Sequence, residues 1–193
     1  VSGPDDLDAA LTINVLAILY WYKGDYVKAE PMHRRALAIK EKALGTEHYR
    51  VTDSLINLAI LYHSKGEYAR AEPLYERALA IREKELGPDH PEVAAGLTNF
   101  AILYRDQADY LKAESLYRRS LAIQEKKLGP DHSDLSATLN NLAETCRYKG
   151  EYEEAESLFK RSIIVKEKAL GPDHPTLALP LNNLAVLYCI KNQ

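Results

Sequence analysis

The sequence predicts an all-α protein, an α-solenoid made of consecutive antiparallel helix pairs. The same residue types return at intervals of 42 positions, each interval holds two apolar stripes with helical spacing, and a short loop separates the stripes. The recurring positions include Gly3, Gly45, Gly87, Gly129 and Gly171, Tyr26, Tyr68, Tyr110 and Tyr152, Ala29, Ala71, Ala113 and Ala155, and His48, His90, His132 and His174. A repeat of this kind favours an array over a single closed core.

The interval from 45 to 86 illustrates the predicted pair. Its first stripe, at spacings i, i+3, i+4 and i+7, predicts a helix over 51–64, which Lys65-Gly66 ends. A second stripe predicts a helix over 67–86, with Gly87 as a left-handed C-terminal cap. Pro91 suits the first turn of the next helix.

We therefore predict one array over residues 1–193. Its repeats are 3–44, 45–86, 87–128, 129–170 and a partial repeat 171–193, giving four helix pairs and a ninth, unpartnered helix near 175–191. Because stacked repeats cover each other's apolar faces, this open helix is a candidate surface for self-association. Pro31, Pro73 and Pro180 fall inside predicted helices, where we expect local bends.

Composition excludes several functional classes. With 25 basic and 28 acidic residues mixed along the chain, the net charge of −3 favours neither nucleic acid nor an anionic membrane. The two cysteines form no CxxC pair, and the apolar run 11–22 is too short to cross a bilayer. We expect a soluble, cytoplasmic protein.

No signature of an enzyme, a metal site or a cofactor site is present. The four in-phase histidines would lie about 10 Å apart in stacked helices, too far apart to share one zinc ion, so we expect them to serve the connectors. Cys146 occupies the phase of the packed tyrosines, which predicts a buried, inert thiol.

Particular motifs carry a family resemblance. The segments Asn57–Tyr62, Gly66-Glu67-Tyr68, Ala71-Glu72 and Ala78-Leu79 resemble the tetratricopeptide (TPR) signature. With the connector over 86–91, the 42-residue period resembles the repeats of kinesin light chains and their bacterial relatives. The resemblance implies a right-handed superhelix whose first helices line a concave groove for extended peptides, often acidic ones that carry Trp.

The groove face of the first helices supplies the candidate peptide-binding residues. Asn recurs in phase, and its amide suits the backbone of an extended chain; alternatively, these amides link neighbouring repeats. Arg105 and Arg147 would attract acidic groups. In the first repeat, Ile18 and Trp21 make this face apolar; alternatively, Trp21 covers a preceding repeat. The candidates are Asn57, Asn99, Asn140, Asn141, Asn182, Asn183, Arg105, Arg147, His63, Ile60, Ile18 and Trp21.

The predicted function is therefore protein–protein interaction. The expected ligand is a protein or peptide, acidic and with an aromatic anchor, held in the groove. The alternative is a structural spacer or self-association scaffold with no dedicated peptide ligand.

Overall fold

The computed structural model describes residues 4–191, with side chains from residue 7 onward. The described residues contain nine α-helices and no strand, as the sequence predicts. The helices are Pro4–Tyr22 (α1), Tyr26–Leu44 (α2), Thr52–Ser64 (α3), Tyr68–Leu86 (α4), Pro91–Asp106 (α5), Tyr110–Leu128 (α6), Leu135–Lys149 (α7), Tyr152–Leu170 (α8) and Ala178–Lys191 (α9). Two 3-10 turns, Tyr49–Val51 and Pro175–Leu177, precede α3 and α9.

The chain divides into two compact units, Val1–Gly96 and Leu97–Gln193, called unit 1 and unit 2 below. The boundary falls inside α5, which is one continuous helix. A single array over 1–193 therefore stays a prediction about the whole chain.

Small side chains occupy the helix contacts of unit 1. In this unit α1 packs against α2, α3 packs against α4, and α2 also contacts α3. Ala17, Ala29, Ala59 and Ala71 are fully buried, and larger residues such as Leu55 fill the space between them. Since an alanine projects only a methyl group, two helices that meet at alanines approach closely.

Unit 2 repeats this arrangement, again with aromatic side chains in its core. There α7 packs against α8, α6 contacts α7, and α9 packs on α8. Tyr117 and Phe159 are fully buried, as are Leu139 and Leu142. Cys146 is also fully buried, as its phase in the repeat predicts.

The connectors between repeats differ from the prediction in one respect. Gly87 has φ 87° and ψ 156°, so it is not in the left-handed helical region that we predicted. Its N–H donates to the carbonyl of Glu83 at 3.0 Å, which closes the last helical turn, while the backbone then leaves in an extended conformation that only glycine adopts readily. The histidine of the connector caps the start of the next helix, because Nδ1 of His90 accepts a hydrogen bond from the Glu92 N–H at 3.2 Å.

The prolines also separate into two groups. Pro31 and Pro73 lie inside α2 and α4, as predicted. Pro180 does not lie in a helix interior, because α9 begins at Ala178 and places it in the first turn. A first-turn residue needs no intrahelical partner for its N–H, so proline carries no penalty there.

No helix within residues 4–191 is both long and apolar enough to cross a membrane.

Candidate functional site

An open pocket of about 250 Å³ lies on the face of unit 1 formed by α1 and α3. Four residues predicted as peptide-binding from the sequence line it together: Ile18, Trp21, Asn57 and Ile60. Tyr22 and His33 complete its wall. The pocket is therefore mainly apolar and aromatic, with two polar side chains among its lining residues.

The indole of Trp21 forms a fixed wall of this pocket. Its Nε1 donates to Oγ of Ser64 at 2.9 Å, and that hydroxyl donates to the carbonyl of Ile60 at 2.9 Å. The Tyr22 ring meets the indole edge-on, with centroids 4.7 Å apart. These contacts join α1 to α3, so Trp21 has a role inside unit 1 that the sequence did not reveal. His63 does not line the pocket; its ring packs 5.7 Å from that of Tyr68.

A buried polar pair at the wall of the pocket could not be recognised from the sequence alone. Nδ1 of His33 lies 2.8 Å from Oδ1 of Asn14, and only 2% of the His33 residue is exposed. Burial disfavours the charged imidazolium and lowers the pKa of His33 to about 4. The available signal was the repeat itself, because the positions in phase with His33 carry aromatic residues: Tyr75, Tyr117 and Phe159.

Unit 2 carries a second open pocket, of about 320 Å³, whose lining is polar. Arg105, predicted to attract acidic ligand groups, lies in it with Asp106 and Glu144, at 3.2 and 3.5 Å from their carboxylates. The guanidinium charge is thus largely balanced by residues of the chain. Exposed or half-exposed pairs of this kind are weak in water, so an incoming carboxylate could displace them.

Arg147 is more available than Arg105. Its guanidinium lies 4.3 Å from the centroid of the Tyr148 ring, and Tyr148 stacks on Tyr110 with centroids 5.3 Å apart and planes 5° apart. This layered stack holds the Arg147 side chain in a defined direction, while the residue itself stays half-buried. Arg147 therefore presents a positioned positive charge at the surface of unit 2.

The predicted asparagines fall into two groups. Nδ2 of Asn183 donates to Oδ1 of Asn140 at 3.1 Å, and Asn140 is buried. This contact joins α7 to α9, so these two amides link neighbouring repeats, which is the alternative role given for the asparagines above. The others are half-exposed or exposed, and within the described chain their amides make no side-chain hydrogen bond; they are Asn57, Asn99, Asn141 and Asn182.

One cluster in unit 2 has the ligand types of a metal site. A carboxylate oxygen or thiol from each of Glu114, Cys146, Glu151 and Glu154 lies within 4.8 Å of the others. However, Lys149 pairs with Glu114 and Glu151, and Arg118 pairs with Glu114 and Glu154.

The charges of this cluster fit an ion-pair network better than a cation site. Burial raises the pKa of the Cys146 thiol to about 12, so the sulfur keeps its proton at neutral pH. A metal would have to displace both cations and remove that proton.

Tandem helix pairs that leave pockets and unpaired amides on their surface define a repeat protein of the protein-interaction class. The family model described as Tetratricopeptide repeat matches residues 6–84, 50–126, 93–163 and 134–193. The chain belongs to the tetratricopeptide repeat family, whose fold is a protein-interaction module.

Solved structures similar to the chain include kinesin light chain-like TPR proteins, in agreement with the resemblance of its 42-residue period. A kinesin light chain-like protein from Podosopora anserina with nearly identical TPR-like repeats is 27% identical over 97% of this chain and 89% of that one, with a TM-score of 0.84. A point variant of that protein, also 27% identical, has a TM-score of 0.85 over 97% and 88% of the two chains. BtubC (BKLC) from P. vanneervenii, 24% identical, shares the fold with a TM-score of 0.83 over 97% and 74%. No curated protein matches the sequence significantly.

Proposed function

We propose that this protein binds an extended peptide segment of a partner protein on the surface lined by its first helices. The observation that carries the proposal is the unit 1 pocket, in which Ile18, Trp21, Asn57 and Ile60 meet. Apolar walls with a few polar groups are typical of sites that hold one anchoring side chain. The anchor that suits these walls is an aromatic residue of the ligand.

The expected charge preference of the ligand follows from the surface of unit 2. Arg147 offers a positioned charge, whereas Arg105 already contacts Asp106 and Glu144. An acidic ligand therefore gains mainly from Arg147, and it competes with Glu144 for Arg105. The half-exposed amides of Asn99 and Asn141 supply hydrogen bonds to a peptide backbone. A few contacts of about 1 kcal/mol each, less the cost of ordering the peptide, give micromolar affinity, Kd about 1–100 μM.

Titration of a fluorescein-labelled acidic peptide containing one Trp tests this function by anisotropy. We expect Ile60→Ala to weaken binding by roughly tenfold through loss of the anchor contact. Arg147→Glu should weaken it by a similar factor and reduce its salt dependence.

Lys84→Glu is the matched charge reversal, because Lys84 is exposed on α4. This control should bind as the natural protein does. Equal affinities for the natural protein, Ile60→Ala and Arg147→Glu would contradict the proposal.

The alternative function, a self-association scaffold, is favoured by the apolar surface of α9. Leu179 is 62% exposed, and Leu181 and Tyr188 are also exposed. If α9 joins two copies, light scattering should give a mass that rises with concentration, and Leu181→Glu should return it to that of one chain. A constant monomer mass would contradict this alternative.

A further inference from the structure

The buried Asn14–His33 pair fixes the hydrogen-bonding character of the unit 1 pocket. An amide oxygen only accepts hydrogen bonds, so Nδ1 of His33, 2.8 Å from Oδ1 of Asn14, carries the ring proton. In the neutral ring Nε2 is then a bare acceptor. Within the described residues, Nε2 has no hydrogen-bond partner.

The packing of the repeat does not explain why a histidine occupies this position. The in-phase residues Tyr75, Tyr117 and Phe159 are buried aromatics, so the fold accommodates an apolar ring here. The imidazole adds an acceptor, Nε2, that no group of the described chain uses. His33 lines the open pocket and its Nε2 is not sealed inside the fold, so this free acceptor is available to a ligand.

The other pocket residues limit what that ligand group is. The indole N–H of Trp21 is already donated to Ser64, and Ile18, Ile60 and Tyr22 present mainly apolar surface. Asn57 adds one amide that can donate or accept, whereas the bare Nε2 can only accept. The volume of about 250 Å³ exceeds the ~150 Å³ in which a buried apolar cavity binds benzene. The space therefore suits an aromatic group, and the bare Nε2 requires a hydrogen-bond donor on it.

We propose that His33, oriented by Asn14, is the specificity-determining acceptor of this pocket and selects an aromatic side chain that carries an N–H or O–H donor. An indole donates its N–H to Nε2, whereas a phenyl group of similar shape leaves Nε2 buried and unpaired. A site built to accept a hydrogen bond rejects an analogue that lacks the donor more strongly than one that lacks a methyl group. The inference rests on the proposed peptide-binding function only for the identity of the natural ligand.

Two small probes test the pocket without any peptide. 3-Methylindole has the donor, and 1,3-dimethylindole replaces it with a methyl group. In protein labelled with ¹⁵N-histidine, we expect the His33 spectrum of an Nδ1–H tautomer. 3-Methylindole should shift its Nε2 resonance and bind about tenfold more tightly than 1,3-dimethylindole.

Two variants separate specificity from packing. His33→Phe restores the aromatic residue of the repeat and should fold, as checked by circular dichroism; we expect it to bind both probes equally. His63→Phe changes a histidine outside the pocket and should keep the tenfold preference.

The inference is overturned by equal binding of the two probes to the natural protein, or by no binding of either. An Nε2–H tautomer, or a preference that survives in His33→Phe, would overturn it as well. Peptides with Trp and with 1-methyltryptophan distinguish this failure from that of the proposed function. If both peptides bind equally, the proposed function is supported and the role of His33 is contradicted. If the protein binds 3-methylindole more tightly than 1,3-dimethylindole but binds neither peptide, the role of His33 is supported and the proposed function is contradicted.

Discussion

The ammonium group of Lys65 lies 2.6 Å from Oε2 of Glu30, which joins the second helix of one pair to the first helix of the next. The same relationship recurs in unit 2, where Lys149 pairs with Glu114 and Lys191 pairs with Glu156. Each of these glutamates follows the in-phase buried alanine of its repeat. The recurring Ala-Glu dipeptide thus combines a close helix contact with an inter-repeat ion pair.

Replacement of Glu30 by Gln should lower the free energy of unfolding at pH 7 by about 1 kcal/mol, since the pair is only partly screened by solvent. The hydrogen bond from Lys65, with a further one from Arg70, lowers the pKa of Glu30 to about 2. A carboxyl group whose folded pKa is lowered stabilises the fold above its ordinary value of 4.5 and loses that contribution as the pH falls toward 2.

Urea denaturation at several pH values provides the measurement. The difference in free energy of unfolding between the natural protein and Glu30→Gln should become smaller as the pH falls below 4.5. Glu76→Gln is the control, because Glu76 is exposed on α4 and should change stability by less than about 0.5 kcal/mol. A Glu30→Gln protein as stable as Glu76→Gln would contradict the assigned role.

Features set by the angular position of a residue on its helix could be predicted from the sequence. The 42-residue period and the apolar stripes predicted the helix pairs, and the tyrosine phase predicted the burial of Cys146. Pro91 begins α5 as expected. These features depend only on which side of a helix faces its neighbour, and spacing along the chain determines that side.

Features that depend on distances between separate helices could not be predicted in this way. The Asn14–His33 and Asn140–Asn183 contacts join residues 19 and 43 positions apart, and a one-residue change in helix offset would separate them. The left-handed conformation predicted for Gly87 was also wrong, because the direction in which the connector leaves the helix depends on where the next helix pair packs. The sequence predicted that Arg105 would attract acidic groups of a ligand, but it did not reveal that Glu144 of the same chain would lie beside it.

Ala108 should be a site of removable backbone strain. It has φ 61°, and the positions in phase with it are Gly24, Gly66 and Gly150, which also have positive φ. A side chain in this region costs about 1 kcal/mol relative to glycine. Ala108→Gly should therefore raise the free energy of unfolding by about 0.5–1 kcal/mol in chemical denaturation.

Gly66→Ala is the reciprocal change and should lower stability by about 1 kcal/mol, since nothing lies within 4 Å of the added methyl group and only the backbone is strained. If Ala108→Gly destabilises the protein, the flexibility that glycine adds to the unfolded chain outweighs the strain, and the prediction fails.

The buried imidazole of His33 should make stability depend on pH near neutrality. Burial lowers its pKa from the ordinary 6.5 to about 4, so between these values the unfolded chain binds a proton that the folded chain does not. Stability should therefore fall as the pH is lowered from 6.5 to 4, by up to about 3 kcal/mol.

His33→Phe should remove this part of the pH dependence, as measured by denaturation from pH 7 to pH 4. The stabilisation by Glu30 is constant above pH 4.5 and changes only below it, so the two pH dependences fall in largely different ranges. An unchanged slope between pH 6.5 and pH 5 in His33→Phe would contradict the assignment.

Tyr117 buries a hydroxyl group that has no hydrogen-bond partner among the described residues. The ring is fully buried, and burial raises the pKa of this phenol above its usual range. An unpaired buried hydroxyl lowers stability, and Phe159 fills the same phase of the next repeat without one. Tyr117→Phe should therefore raise the free energy of unfolding by about 1 kcal/mol.

Tyr62→Phe is the matched comparison, because the Tyr62 hydroxyl donates to Glu30 at 3.2 Å and accepts from Arg70 at 2.6 Å. This variant should lose about 1–2 kcal/mol, since the same atom is removed from a satisfied site. Thermal and urea denaturation should show that the two substitutions change the free energy of unfolding in opposite directions. A loss of stability in Tyr117→Phe equal to that in Tyr62→Phe would mean that a bound water satisfies the Tyr117 hydroxyl.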